Sequence, residues 1–144
     1  MICEVAREVE FDAGHRVPHH ASKCFNPHGH RYRVRATVRG DVREDHGPEH
    51  GMVVDFGVLK ALMVEAIHDR YDHSMIVWDG DDELLDALRG RGWSLVVEPV
   101  VPTAENLARL CFGFLEDALR SHPGLTLQAV EVWETPTCVA TYRA

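Results

Sequence analysis

Residues 24–30 constrain this chain more than any other stretch, because they place two histidines two residues apart at the start of an alternating run. Side chains on a β-strand point alternately to its two faces, so His28 and His30 share a face if they begin a strand. Apolar residues continue the same alternation, at Tyr32, Val34, Ala36 and Val38. Two imidazoles on one face supply two zinc ligands, and a third ligand from elsewhere gives an open site.

The candidate for the third ligand is His15, which ends an earlier alternating stretch over residues 4–15 and shares the parity of its apolar residues. Two adjacent antiparallel strands can bring His15, His28 and His30 to one point. Cys24 lies in the connecting loop, and two interpretations of it stay open. As a fourth ligand it would make the site closed and structural; otherwise it stands beside the metal in an open site.

Overall charge argues against two classes of partner. The chain carries 15 basic and 23 acidic residues, a formal net charge of −8, whereas non-specific binding to nucleic acid or to an anionic membrane needs a basic surface. Locally, arginines alternate along one predicted strand, at Arg31, Arg33, Arg35 and Arg39. They form either a solvated strand face or a site for a polyanion such as a phosphate ester.

Composition predicts a single cytoplasmic domain over residues 1–144. No stretch approaches the roughly 20 apolar residues of a membrane span, and charged residues interrupt any signal-peptide pattern at the N-terminus. The four cysteines form no closely spaced pair; they are Cys3, Cys24, Cys111 and Cys138. Such usage is typical of a protein with reduced thiols.

Periodicity predicts an α+β fold with two long helices on one face of an antiparallel four-stranded sheet. The strands are expected over residues 2–14, 30–40, 126–134 and 138–143. Asp55 is the expected N-cap of a helix over about 55–70, and Thr103 that of a second helix that ends before Pro123. Such a sheet has two open edges, so pairing of edges into a ring predicts an oligomer.

Several titratable residues lie at the ends of predicted elements, and two of these positions have two interpretations. Asp72 and His73 come directly after a helix end. They are either a backbone cap and a surface histidine, or a proton-transfer pair. Glu134 ends an apolar strand, where it is either exposed at the sheet edge or aimed into a pocket. Glu105 lies in the first helical turn, where the helix dipole favours a carboxylate.

Six short motifs, in this order and spacing, resemble the 6-pyruvoyltetrahydropterin synthase family. They occupy residues 11–15, 24–30, 54–56, 72–73, 102–107 and 134–135, so that the resemblance covers essentially the whole chain. The three residues between Cys24 and His28 resemble the carboxy-tetrahydropterin branch of the family, since the pyruvoyl branch tends to have a longer gap.

This resemblance implies a tunnelling fold (T-fold), in which subunits join their sheets into a barrel, usually as a homohexamer made of two trimers. It also implies a role for each matched position. The zinc ligands would be His15, His28 and His30. The catalytic residues would be Cys24, Asp72 and His73, and the residues of the pterin pocket would be Glu134, Thr103 and Glu105. A carboxylate at Glu134 suits the pterin edge because it accepts two parallel hydrogen bonds.

The implied reaction converts 7,8-dihydroneopterin triphosphate to 6-carboxytetrahydropterin, acetaldehyde and triphosphate, in 7-deazaguanine and queuosine biosynthesis. Lys23 and Arg16 are candidates for holding the triphosphate. Two alternatives stay open. One is a pyruvoyl-tetrahydropterin synthase or a homologue that cleaves the pterin side chain. The other is a non-catalytic, zinc-stabilised pterin-binding protein.

Overall fold

Two long strands form the centre of the sheet, and both follow the alternation seen in the sequence. In the computed structural model, which describes residues 1–143, β1 (Ile2–His15) pairs antiparallel with β2 (His28–Asp41). Their register runs without interruption from the Ile2–Asp41 pair to the His15–His28 pair. The ends of the two strands that carry the histidines therefore lie side by side.

A hairpin extends the sheet on the β2 side, as predicted. The hairpin consists of β5 (Thr126–Thr135) and β6 (Cys138–Tyr142). Strand β5 is antiparallel to β2, and β6 is antiparallel to β5. The antiparallel four-stranded unit expected from the sequence is thus present as β1-β2-β5-β6.

Two short parallel strands extend the sheet on the other side. Strand β3 (Ser74–Trp78) pairs parallel with β1, and β4 (Leu95–Glu98) pairs parallel with β3. The sheet therefore has six strands, in the order β4-β3-β1-β2-β5-β6. Strand β3 was not predicted from the sequence. It is only five residues long and mostly buried on both faces, so the period-two signal is missing.

Both long helices pack on one face of the sheet and share its main core. The first consists of α1 (Phe56–Met63), a π-helical turn (Val64–His68) and α2 (Asp69–Tyr71). The second is α4 (Ala104–Leu119). Their buried residues join the inward residues of β1, β2 and β5 in one cluster, which includes Phe11, Val34, Leu59, Met63, Leu107, Leu115 and Val130.

The predicted helix caps are present, and they fix where each helix begins. Asp55 accepts a hydrogen bond from the backbone N–H of Gly57 over 2.6 Å, and Thr103 accepts one from Asn106 over 3.3 Å. A shorter helix, α3 (Asp82–Leu88), follows β3 and is capped by Asp81. Among residues 1–143 we find no helix with the length and hydropathy that a bilayer crossing requires.

Candidate metal and catalytic site

Three histidines, His15, His28 and His30, converge at the paired ends of β1 and β2; we call them the three-histidine cluster. One ligand nitrogen from each lies within 4.8 Å of the other two, and the Nε2 atoms of His15 and His28 are 3.1 Å apart. The strand register produces this convergence because it pairs His15 with His28 and Ala13 with His30. Within residues 1–143, no other group of three histidine, cysteine or acidic side chains converges in this way.

Backbone carbonyls hold two of these histidines from outside the cluster. The Nδ1–H of His15 donates to the carbonyl of Pro102 over 2.7 Å, and that of His28 donates to the carbonyl of Asn26 over 2.7 Å. A bond of this kind fixes the tautomer, so each Nε2 keeps a lone pair that faces the cluster. The donor set therefore fits a divalent transition metal, because imidazole is a preferred ligand for such ions.

Burial favours the neutral form of two of these imidazoles, His15 and His30. His15 is 1% exposed, and this desolvation lowers its pKa to about 4, although the hydrogen bond with Pro102 acts in the opposite direction. Burial also lowers the pKa of His30, with a smaller contribution from His28. Only the neutral ring has a free lone pair for a metal. Burial therefore favours the metal-binding form of His15 and His30.

Cys24 lies close to the cluster in sequence but is not among the converging groups. It is the middle residue of a 3-10 turn (Lys23–Phe25) and is half-buried. Its carbonyl accepts a hydrogen bond from the N–H of Val17 over 2.8 Å. Closed structural sites use four protein ligands, whereas three ligands and an open position are typical of catalytic sites. The geometry thus favours the interpretation in which Cys24 stands outside the ligand set.

Asp72 and His73 form a hydrogen-bonded pair beside the end of β1. The Nδ1 of His73 lies 2.7 Å from Oδ2 of Asp72, while Oδ1 of Asp72 accepts the backbone N–H of Asp12 over 3.1 Å. The hydrogen bond from Asp12, followed by that from His73, lowers the pKa of the Asp72 carboxyl. The ionised form of Asp72, which these hydrogen bonds favour, orients the imidazole.

A cavity of about 490 Å³ has one member of this pair and one member of the three-histidine cluster in its lining. His73 and His30 both line it, together with Gly14, Gly29 and Met75. The backbone of His73 adopts a left-handed conformation, with φ of 57°, and its N–H donates to the carbonyl of Asp12 over 2.7 Å. This turn leads into β3 and leaves the imidazole 79% exposed, so it is accessible to a molecule bound in the cavity.

Glu134 lies on the other side of the cluster, at the end of β5. One of its carboxylate oxygens is 3.8 Å from Nε2 of His15. It lines a second cavity, of about 360 Å³, with His30, Trp133 and Thr135. Burial, and then the charge of Glu105, raise the pKa of Glu134. Of the two interpretations made from the sequence, the structure therefore supports a carboxylate in a pocket.

Thr103 and Glu105 lie at the start of α4. The carbonyl of Pro102, just before this helix, accepts a hydrogen bond from His15, so the helix start is close to the cluster. The Thr103 hydroxyl caps the helix by accepting the N–H of Asn106. Glu105 is exposed in the first turn, near enough to influence Glu134 electrostatically. Neither residue lines the two cavities described above, so their position adjoins the site without forming its walls.

Two of the four alternating arginines of β2 are paired with carboxylates, which favours the solvated-face interpretation for them. Arg31 binds Glu10 over 2.9 Å and Asp12 over 3.1 Å, and Arg35 lies 3.7 Å from Glu131. Such cross-strand charge pairs stabilise a sheet face exposed to water. Arg31 and Arg35 are therefore engaged by acidic side chains of the sheet and are not free to bind a polyanion.

Arg33 and Arg16 were also candidates for anion binding. Arg33 stacks on Trp133, with 4.2 Å from its guanidinium carbon to the ring centre. Arg16 is only 6% exposed and binds the carboxylates of Asp81 and Glu83. Two acidic partners neutralise its charge, so the structure does not support the expectation that Arg16 holds the triphosphate.

Some groups that build the site were not identified from the sequence. The carbonyls of Pro102 and Asn26 orient the histidines, and the backbone of Asp12 binds both Asp72 and His73. Backbone groups carry no residue-type signal, so no sequence pattern could have identified them. Trp133, which lines the second cavity, could have been suspected because it directly precedes Glu134.

Fold and site together define a class: an α+β protein with a three-histidine cluster at the end of its central strand pair, flanked by an Asp–His pair and a pocket glutamate. Comparison with known proteins specifies this class. The sequence profile described as "6-pyruvoyl tetrahydropterin synthase" matches residues 4–144. The chain belongs to this family.

Individual relatives agree with this assignment. The chain is 35% identical to the 6-carboxy-5,6,7,8-tetrahydropterin synthase of Rickettsia bellii, over 92% of this chain and 94% of the relative. It is 38% identical to the protein of the same name from a Synechocystis species, over 96% of this chain and 91% of the relative. The structure of 6-pyruvoyl tetrahydropterin synthase from Caenorhabditis elegans is 30% identical and superposes with a TM-score of 0.71, covering 100% of this chain and 96% of that one. The fold is thus a T-fold.

Metal content tests the assignment of ligands. We expect His28→Ala to lose bound metal, because it removes one of three ligands, and Cys24→Ala to keep the metal of the parent protein. His20→Ala, which changes an exposed loop histidine outside the cluster, is the matched control. Elemental analysis of the purified variants by mass spectrometry measures the stoichiometry. Loss of metal from Cys24→Ala would make the cysteine a ligand and contradict the assignment.

Proposed function

We propose that this protein is a zinc-dependent 6-carboxy-5,6,7,8-tetrahydropterin synthase. With the consumption of one water, it converts 7,8-dihydroneopterin triphosphate to 6-carboxytetrahydropterin, acetaldehyde and triphosphate. It does so as a carbon–carbon and carbon–oxygen lyase and supplies 7-deazaguanine and queuosine biosynthesis. The names of the Rickettsia and Synechocystis relatives support this proposal. The three-residue gap between Cys24 and His28 supports it as well.

The observation that carries the proposal is that the three-histidine cluster contributes a residue to two cavities with different chemistry. His30 lines both cavities. One contains His73, held by Asp72, and the other contains Glu134. A substrate with a flat heterocycle at one end and a reactive side chain at the other could therefore bind across the cluster, with the ring near Glu134 and the side chain near His73.

Zinc held by His15, His28 and His30 would supply Lewis acidity to side-chain oxygens of the substrate. Around it, this chain's own residues bind the substrate and move protons. Cys24 acts as a base from its turn beside the cluster, and His73 is the second acid–base group, with Asp72 setting its orientation. Glu134 accepts two parallel hydrogen bonds from the ring N–H and amino group of the pterin. Thr103 and Glu105 border this end.

A homohexamer made of two trimers, with sheets joined into a barrel, is part of the proposal. The terminal strands β4 and β6 each have a neighbour on one side only within the described chain. Both carry an exposed apolar residue, Val97 on β4 and Val139 on β6. Unpaired strand edges of this kind favour pairing with another subunit. We assign the protein to the cytoplasm, in keeping with four cysteines that form no disulfide.

A second candidate function is 6-pyruvoyl tetrahydropterin synthesis. One specific observation favours it: the Caenorhabditis elegans protein of that name shares 30% identity over the whole of this chain. The two functions would use the same cluster and the same pterin pocket and differ in the fate of the side chain. The products therefore distinguish them.

Product analysis tests the proposed reaction. Metal-loaded protein is incubated with 7,8-dihydroneopterin triphosphate, and mass spectrometry identifies the products. We expect a 6-carboxy pterin with acetaldehyde, and a fall of about 10²–10⁴-fold in turnover for Cys24→Ala, the usual effect of losing an acid–base group. Cys138→Ala, an exposed cysteine on β6, serves as the control. A pyruvoyl product would favour the second candidate, and a metal-loaded parent without turnover would contradict enzymatic function.

A comparison of two glutamates on β5 tests pterin anchoring. We expect Glu134→Gln to raise the KM for the pterin about tenfold or more, because it weakens hydrogen bonds to a charged group worth about 1.5–3 kcal/mol. Glu131→Gln is the matched control, since Glu131 pairs with Arg35 outside both cavities. Steady-state kinetics of both variants measure the effect. Equal KM values for Glu134→Gln and the parent would exclude this anchoring role.

A further inference from the structure

Arg16 directly follows the metal-ligand candidate His15 and is fixed by an almost fully buried ion pair. Its guanidinium contacts Asp81 through two nitrogens, with Nε 2.6 Å from Oδ2 and Nη2 bound to Oδ1. Nη2 also lies 3.0 Å from the exposed carboxylate of Glu83. Arg16 and Asp81 are 6% and 5% exposed. A two-pronged contact of this kind fixes orientation as well as distance.

Asp81 is itself fixed, so it can serve as an anchor. Its Oδ1 accepts the N–H of Leu84 over 3.2 Å at the start of α3. Its own N–H donates to the carbonyl of Trp78 over 3.0 Å at the end of β3. Because backbone groups of two elements hold Asp81, the position of Arg16 is determined by the framework of the sheet.

From this anchored position, Arg16 contacts the turn that carries Cys24. The guanidinium carbon lies 5.2 Å from the ring centre of Phe25, the neighbour of Cys24 in the turn Lys23–Phe25. The next residue in the chain, Val17, donates its N–H to the carbonyl of Cys24 over 2.8 Å. A side chain and a backbone group from one short segment thus hold both Cys24 and its neighbour.

We propose that Arg16 is a positioning residue, which uses its pair with Asp81 to fix the Cys24 turn relative to the three-histidine cluster. His15 and Arg16 are adjacent, so the metal ligand and the anchor of the cysteine share one backbone segment. Removing two charges from water is costly, and apolar side chains of similar size would stabilise the fold as well. Geometric control of Cys24 gives a reason for the pair to be there.

An arginine is required at this position by the combination of contacts. A lysine has no planar fork for the two oxygens of Asp81 and no flat surface to stack on Phe25. The two carboxylates around Arg16, from Asp81 and Glu83, also make the site unfavourable for an anionic ligand. The role of Arg16 is therefore exerted through Cys24 and not through contact with the substrate.

Asp81→Asn is the variant that tests this proposal. Asparagine caps a helix as well as aspartate does, so α3 keeps its N-cap while the charge opposite Arg16 is lost. Asp86→Asn is the matched control, because Asp86 is an exposed residue of the same helix whose partner is Arg89. Arg16→Lys is the second test variant, since it keeps the charge but loses the fork.

Hydrogen exchange and kinetics are measured together on the metal-loaded protein. For Asp81→Asn and Arg16→Lys we expect amide exchange over residues 17–25, including the Val17 N–H, to accelerate about tenfold or more, while exchange within β2 is unchanged. We expect kcat to fall about tenfold or more with KM within about twofold of the parent, because a misplaced base slows the reaction without weakening pterin binding. Asp86→Asn should match the parent in both measurements.

The catalytic part of this inference rests on the proposed function, but the exchange measurement does not. A parent protein without turnover would refute the proposed function, and exchange at residues 17–25 would still show whether Arg16 holds the turn. Unchanged exchange in a folded Asp81→Asn variant would overturn the positioning role. Faster exchange with an unchanged kcat in an active enzyme would also overturn it. If Asp81→Asn fails to fold, Phe25→Leu replaces it, because this variant removes only the ring that contacts Arg16. The same two measurements then test the positioning role.

Discussion

The site depends on the antiparallel register between β1 and β2. This register places His15 opposite His28 and Ala13 opposite His30, so the three imidazoles share one face at one end of the strand pair. A slip of one residue would move His28 and His30 to the opposite face, since side chains alternate along a strand. The same slip would expose the apolar residues of β2. Burial of the core and assembly of the cluster therefore impose the same register.

Other parts of the chain complete the site through contacts with this strand pair. The carbonyl of Pro102, just before α4, orients His15. The backbone of Asp12 holds Asp72 and His73 beside the end of β1. The segment after His15 holds the turn with Cys24. Each proposed catalytic group is thus positioned by residues next to a histidine of the cluster or on the strand that carries one, which favours rigid placement relative to the three-histidine cluster.

The sequence was informative where residue type and period determine structure. The alternation along β1 and β2 predicted both strands and the convergence of His15 with His28 and His30, and Asp55 and Thr103 marked the helix starts. It was uninformative where backbone groups or short buried elements decide the outcome. Strand β3 was not predicted because it is short and mostly buried on both faces, and the ion pair of Arg16 with Asp81 joins residues 65 positions apart, with no local signal.

The central claim is that three histidines, without Cys24, bind a metal and leave a position open for substrate. X-ray absorption spectroscopy at the zinc edge of the zinc-loaded protein tests it most directly. The account predicts three nitrogen ligands and a light fourth ligand at about 2.0–2.1 Å, with no sulfur. A zinc–sulfur distance of about 2.3 Å, lost in Cys24→Ala, would show a closed site with the cysteine as a ligand. That result would contradict both the open site and the role of Cys24 as a base.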